Sequence, residues 1–160
     1  MNVFAESCPC WAAASIALLA VHPLAVAQAA PKEVVNPSTL ADTTQFGYSG
    51  AAVVAPGTRL IFVAGQIGWV DGEANDFETQ VDRAFANLAA VLKASGSSAR
   101  EVIKITLLTQ DHDAAKLAYL GKKRRAFFGA SPPASTLIPV AMLFAPGVTF
   151  EIDAVAVAGR

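Results

Sequence analysis

The residues best placed to do chemistry stand near the ends of segments that read as strands. Glu151 and Asp153 leave the same side of an alternating apolar stretch. A carboxylate there can orient a water and accept its proton if that side lines a cleft, or form a wet surface if it does not. Ser135 and Thr136 follow Ser131-Pro132-Pro133-Ala134, where two prolines stop the preceding helix and stiffen the entrance to the next strand. Tyr48 offers a phenol, and Gly65, without a Cβ, lets a ligand or another backbone come close.

Other chemistries lack their residues. Cys8 and Cys10 are the only cysteines, and the histidines are His22 and His112, too few for a Ser-His or Cys-His site outside the N-terminal segment. His112 lies between Asp111 and Asp113 and reads as a solvated turn residue. No phosphate-binding glycine pattern and no convincing metal-ligand spacing is present, so no cofactor and no metal are expected.

The 160 residues carry a net charge of −1, which argues against nucleic acid or an anionic membrane surface and for small ligands or other protein chains. Residues 11–27 (WAAASIALLAVHPLAVA) form an Ala-rich uncharged run that leads to small-residue sites such as Ala27-Gln28-Ala29. This order predicts a signal peptide or unstructured leader over residues 1–30 and one domain over residues 31–160, with no membrane span in the mature chain. Residues 1–10 contain Glu6 and no Lys or Arg, which is not the charge of a typical leader. The address is periplasmic or secreted if the leader is cleaved, and cytoplasmic otherwise.

Stepping along the domain, residues 31–44 are polar and turn-prone and read as a flexible entry. Tyr48 to Ala55 and Arg59 to Gly65 read as strands joined by Pro56-Gly57, the residue pair of a type II turn, and so as a hairpin. Asn75 and Glu78 make a capping box ahead of a helix with apolar residues at Phe77, Val81, Ala84, Phe85, Leu88, Val91 and Leu92. Val102 to Thr109 returns to a strand, and Asp111 or Asp113 caps a second helix through Phe128. Its four successive cations, Lys122 to Arg125, point around the helix and read as a solvated face, with RNA contact as the lesser alternative. Thr136 to Phe144 is a strand that Pro139 assigns to an edge. Val148 to Val157 is the last. The order β-β-α-β-α-β-β predicts an α+β subunit, a mixed sheet with two helices on one face.

Taken in order, Phe46-Gly47-Tyr48-Ser49, Phe62-Val63-Ala64-Gly65-Gln66-Ile67, the Gln80 to Leu92 helix, Val102-Ile103-Lys104, Asp111 with Ala126-Phe127-Phe128, Pro133-Ala134-Ser135-Thr136 and the segment from Val148 to Ala156 resemble the RidA/YjgF family of reactive-intermediate deaminases. The resemblance implies a chorismate-mutase-like subunit in a homotrimer with three intersubunit clefts. It implies hydrolysis of 2-imino or enamine acids to 2-keto acids and ammonia, with no metal or cofactor. Tyr48, the Gly65 backbone, Ser135 and Thr136 would bind substrate, and Glu151 would be the catalytic residue that positions water.

The family places an arginine after Pro-Ala to pair with the substrate carboxylate, and an asparagine on the second helix. Here those positions hold Ser135 and Gly121. One neutral hydroxyl replaces a bidentate charged donor. Two expectations follow: a RidA-like deaminase whose substrate is not the standard 2-imino acid, or a non-catalytic small-ligand-binding trimer of the same fold. Arg59 or Arg125 could restore the cation from across a subunit boundary.

Overall fold

The computed structural model describes residues 32–159. The leader segment, with Cys8, Cys10 and His22, lies outside them. Six strands and two long helices follow in the order β1 (Glu33–Val35), β2 (Ala51–Val53), β3 (Leu60–Ile67), α1 (Phe77–Ala94), β4 (Val102–Gln110), α2 (Ala114–Phe128), β5 (Ala134–Val140) and β6 (Phe150–Val157). The main sheet runs β3-β6-β4-β5. Only the β4–β5 pair is parallel. A parallel pair needs a crossover, which α2 supplies. The sheet is mixed and the α+β reading holds.

The helices cover the face on which the strands place their continuous buried apolar residues. Val63, Ile105, Leu107, Phe150, Ile152, Ala154 and Ala156 meet Val81, Ala84, Phe85, Leu88 and Leu92 of α1 and Leu120 and Phe128 of α2. Phe85 is the centre, stacked on Phe150 at 6.2 Å and edge-on to Phe127 and Phe128 at 5.1 and 6.2 Å. Each large side chain buried in this way contributes roughly 1.5 to 3 kcal/mol. Pro139 sits in β5, the outermost strand, where a missing N–H costs no ladder bond.

Several local expectations need correction. The expected hairpin between Tyr48–Ala55 and Arg59–Gly65 does not form: β2 pairs antiparallel with β1, so residues 33–35 of the presumed flexible entry are a strand. The Pro56-Gly57 turn exists, with Gly57 at φ 75°, but it turns the chain from the small sheet into the large one. Asp76 rather than Asn75 caps α1, accepting from the Thr79 N–H at 3.0 Å. Asn75 instead ties its own loop, through Val70 and Glu73. Asp113 caps α2. The fifth strand stops at Val140 and the sixth begins at Phe150, leaving Met142 and Phe144 exposed in the connection. Among the described residues, no helix is long and apolar enough to cross a membrane.

Candidate functional site

The corner at Pro132-Pro133 is built by the loop before β2. Ser49, buried, donates its N–H to Pro133 O at 2.9 Å and its hydroxyl to Pro132 O at 2.7 Å. These bonds hold Tyr48 beside the start of β5. The loop can approach only because residue 47 is glycine: at φ 76°, an added Cβ would lie 2.7 Å from Cβ of Arg124 and 2.8 Å from the Arg125 nitrogen. Gly47 therefore packs directly on α2.

Arg124 is what that packing encloses. It is 3% exposed, its guanidinium lies 5.4 Å from the centroid of the Tyr48 ring, and Nη1 donates to Ser135 Oγ at 3.3 Å. Burial lowers its pKa from the usual arginine value; the neighbouring Tyr48 opposes this and Arg125 adds to it. Among the described residues no carboxylate pairs with it, and its Nε–H has no acceptor. A cation thus stands behind Ser135, in the same chain.

The basic run is only partly a solvated face: Lys122 and Arg125 are exposed, whereas Arg124 is buried. Lys123 pairs with Asp82 at 2.7 Å, and Arg125 donates to Gln45 O. The turn residue His112 is half-buried, and its Nδ1 finds no partner among the described residues.

The second cluster forms on β3 and β6. The register passes from Val63 opposite Ala154 to Gln66 opposite Ile152, so β3 carries one extra residue there. This bulge lifts the backbone at Gly65 out of regular pairing. The Glu151 carboxylate fills the space: a Cβ on Gly65 would overlap Oε1 of Glu151 and lie 2.6 Å from its Cδ. The sequence-predicted pair Gly65 and Glu151 is therefore in direct contact.

Thr136 belongs elsewhere. Lys104 Nζ donates to Thr136 Oγ1 at 2.5 Å and to Ile105 O at 3.0 Å, and Asp153 accepts from the Thr106 N–H at 3.2 Å. These groups lie on the face of the sheet without helices. Lys104 has a lowered pKa, from desolvation first, with Asp153 acting in the opposite direction.

A model described as endoribonuclease L-PSP matches residues 39–158. The chain belongs to this family. A RutC family protein of Pyrococcus abyssi is 34% identical over 104 residues, 61% of this chain and 78% of the relative. The RutC family protein YjgH of Escherichia coli is 33% identical over 99 residues, 61% of this chain and 74% of that protein. A crystal structure of a conserved Rid family protein of unknown function from Yersinia pestis superposes with a TM-score of 0.74 at 31% identity, covering 79% of this chain and 98% of that one. The RidA/YjgF resemblance read from the sequence is thereby established, as is the fold.

For a member of the RidA/YjgF family, the notable feature is how the five expected site residues divide. Tyr48 and Ser135 meet around Arg124 on the helix-covered side, Gly65 and Glu151 meet at the bulge on the open side, and Thr136 faces Lys104. Ser135 lies opposite Ile105, whereas Glu151 neighbours Leu108. This offset of three residues is roughly 10 Å along the strands. Arg124 and Ser49 were not singled out by sequence reasoning. A signal for Arg124 existed: Leu120, Arg124 and Phe128 recur at i, i+4, i+8, the spacing of the buried stripe.

Proposed function

We propose that the protein is a hydrolytic deaminase of small reactive imines or enamines, working as a homotrimer with ligand clefts between subunits. The observation that carries this reading is the Glu151 carboxylate seated in the bulge at Gly65, next to backbone released from regular pairing. In the reaction, Glu151 takes a proton from a water as its oxygen attacks the imine carbon. That proton passes to the imine nitrogen to give the neutral carbinolamine; its hydroxyl proton then moves to the same nitrogen as the C–N bond breaks, and a ketone and ammonia leave. No cofactor is required for that balance.

The open sheet face supports the trimer. Leu60, Phe62 and Ile138 are 37%, 78% and 42% exposed, an apolar surface that a second copy would cover. Since the two clusters of one chain face opposite sides of the sheet, a cleft containing both kinds of group takes them from two subunits. Sedimentation or light scattering should give three times the monomer mass. The leader read in residues 11–27 would place this trimer outside the cytoplasm, and N-terminal sequencing of the mature protein tests that.

Ammonia release from freshly generated 2-iminobutyrate and from an uncharged imine, measured for wild type, Glu151→Gln and Gly65→Ala, tests the chemistry. Both variants should lose about a hundredfold or more. Equal inactivity of wild type and Glu151→Gln on both compounds would instead favour the non-catalytic ligand-binding trimer, a reading that Ser135, standing where the family has an arginine, keeps in play. RNA contact through the basic run finds no support, because that run is buried, paired or tied to backbone at three of its four positions.

A further inference from the structure

We propose that Lys32 is the nucleophile of a second site, one that captures small aldehydes carrying an anionic group as an imine on its side chain. The site is a cleft of about 480 Å³ between the chain leaving α2 and the chain entering β4, a size usual for small-molecule sites. None of Tyr48, Gly65, Arg124, Ser135, Thr136 or Glu151 lines it, and the inference does not depend on the deaminase reading.

The lining of the cleft divides into buried and exposed residues. Phe128 and Lys32 are 3% and 8% exposed, whereas Ser98, Arg100 and Ser131 are open to solvent. Lys32 precedes β1, and its side chain crosses to the start of β4, where Nζ donates to Val102 O at 2.6 Å. That bond uses one of the three N–H groups of the ammonium. Among the described residues no carboxylate pairs with this amine, although Glu101 lines the same cleft. A buried ammonium without a counter-charge gives up its proton readily, and desolvation lowers the pKa of Lys32 from 10.5 to about 8. At about pH 7.5 the neutral, nucleophilic form is then roughly a quarter of the total, against roughly a thousandth for an exposed lysine. Desolvation of this kind is what activates imine-forming lysines.

The step balances without oxidant or reductant. Lys32 releases one proton, its neutral Nζ attacks the aldehyde carbon, and a second proton moves from nitrogen to the new oxygen. The first proton returns to that hydroxyl, which leaves as water while the C=N bond forms, so that ammonium and aldehyde give iminium and water. Glu101 is the carboxylate of the cleft that can hold the travelling proton. The iminium keeps one N–H, for which Val102 O is already the acceptor. Arg100, Ser98 and Ser131 supply donors for an anionic group on the aldehyde, and Phe128 supplies an apolar surface for its body. An aldehyde is favoured over a ketone because a carbonyl carbon with a single substituent reaches a nearly buried amine with less crowding.

The test is incubation of the full chain at about pH 7.5 with 4-carboxybenzaldehyde and sodium cyanoborohydride, which fixes an imine as a secondary amine, followed by intact mass and peptide mapping. An adduct on Lys32 is expected, formed at least about tenfold faster than on the exposed Lys122, because the reaction follows the neutral fraction of each amine. Lys32→Arg keeps the positive charge but forms no such imine, and should abolish that adduct. Arg100→Gln should slow labelling by the carboxylate-bearing probe about 5- to 10-fold relative to benzaldehyde, since a charge-assisted contact is lost. The wild-type map alone is decisive: labelling confined to Lys122 and other exposed amines, or labelling of Lys32 that is no faster in the folded protein than in urea, overturns the proposal. Equal rates for 4-carboxybenzaldehyde and benzaldehyde at Lys32 would overturn the anionic ligand class.

Discussion

Two polar side chains are buried deep in this molecule under opposite conditions. Gln80 is fully buried in α1, and every end of its amide is used: Nε2 donates to Asn75 O and Gly147 O, both at 2.8 Å, and Oε1 accepts from the Thr149 N–H at 3.0 Å. Arg124 is nearly as buried in α2, with one bond at 3.3 Å and an orphaned Nε–H. The first corner ties the start of α1 to the chain entering β6 and supplies no free donor. The second keeps donors in reserve. A satisfied buried network holds a fold together, whereas an unsatisfied one costs stability.

Breaking the satisfied corner should have the largest effect. Gln80→Leu removes the partners of two carbonyls and one N–H in part-buried positions, and should cost about 2 to 4 kcal/mol in chemical denaturation, with a fall in Tm of roughly 10 °C.

Lys32 offers an intermediate case. It is 8% exposed, donates to Val102 O at 2.6 Å, and burial lowers its pKa from 10.5 to about 8. Between those two values the unfolded chain binds more protons here than the folded one, so the unfolding free energy rises with pH. The gain from pH 7.5 to 9.5 should be up to ~2 kcal/mol, and Lys32→Met should flatten it. Above pH 10 the gain is opposed by Tyr119, whose phenol is pushed up to about 12, mostly by desolvation and then by its bond to Asp82. A raised phenol pKa contributes stability that is lost as pH climbs.

Arg124→Met should behave unlike Gln80→Leu. Replacing a buried cation without a counter-charge by an apolar chain of similar size should leave stability within about 1 kcal/mol of wild type, or raise it. A loss as large as that of Gln80→Leu would mean that Arg124 is a structural tie, and the contrast between the two corners would fail. The smallest effect concerns Gly121, on the same helix. A Cβ there meets nothing closer than 3.5 Å, so Gly121→Ala should stabilise by about 0.5 to 1 kcal/mol with no change in substrate preference.

Much of this arrangement was legible in the residues. The period-2 alternation of Val148 to Val157 and the 3.6-residue recurrence from Phe77 to Leu92 named the last strand and the first helix, because each reflects one buried side. The pairing of the second strand was not legible. A turn sequence such as Pro56-Gly57 states that the chain bends, but not whether its flanks meet each other or, as here, a third segment at Glu33–Val35. The role of Arg124 was obscured by its neighbours: four cations in succession look like a wet helix face when counted as charge. Only their angular positions place one of them in line with Leu120 and Phe128.

The sequence by itself determined the family and the α+β layering, and it singled out Gly65 and Glu151 separately, since these depend on local periodicity and on motifs that travel with the fold. Tertiary structure alone decided that a guanidinium stands behind Ser135. That outcome depends on Gly47 letting one loop lie on α2 and on Ser49 binding two proline carbonyls more than eighty residues away. Such contacts have no period along the chain, so only the folded molecule can bring them together.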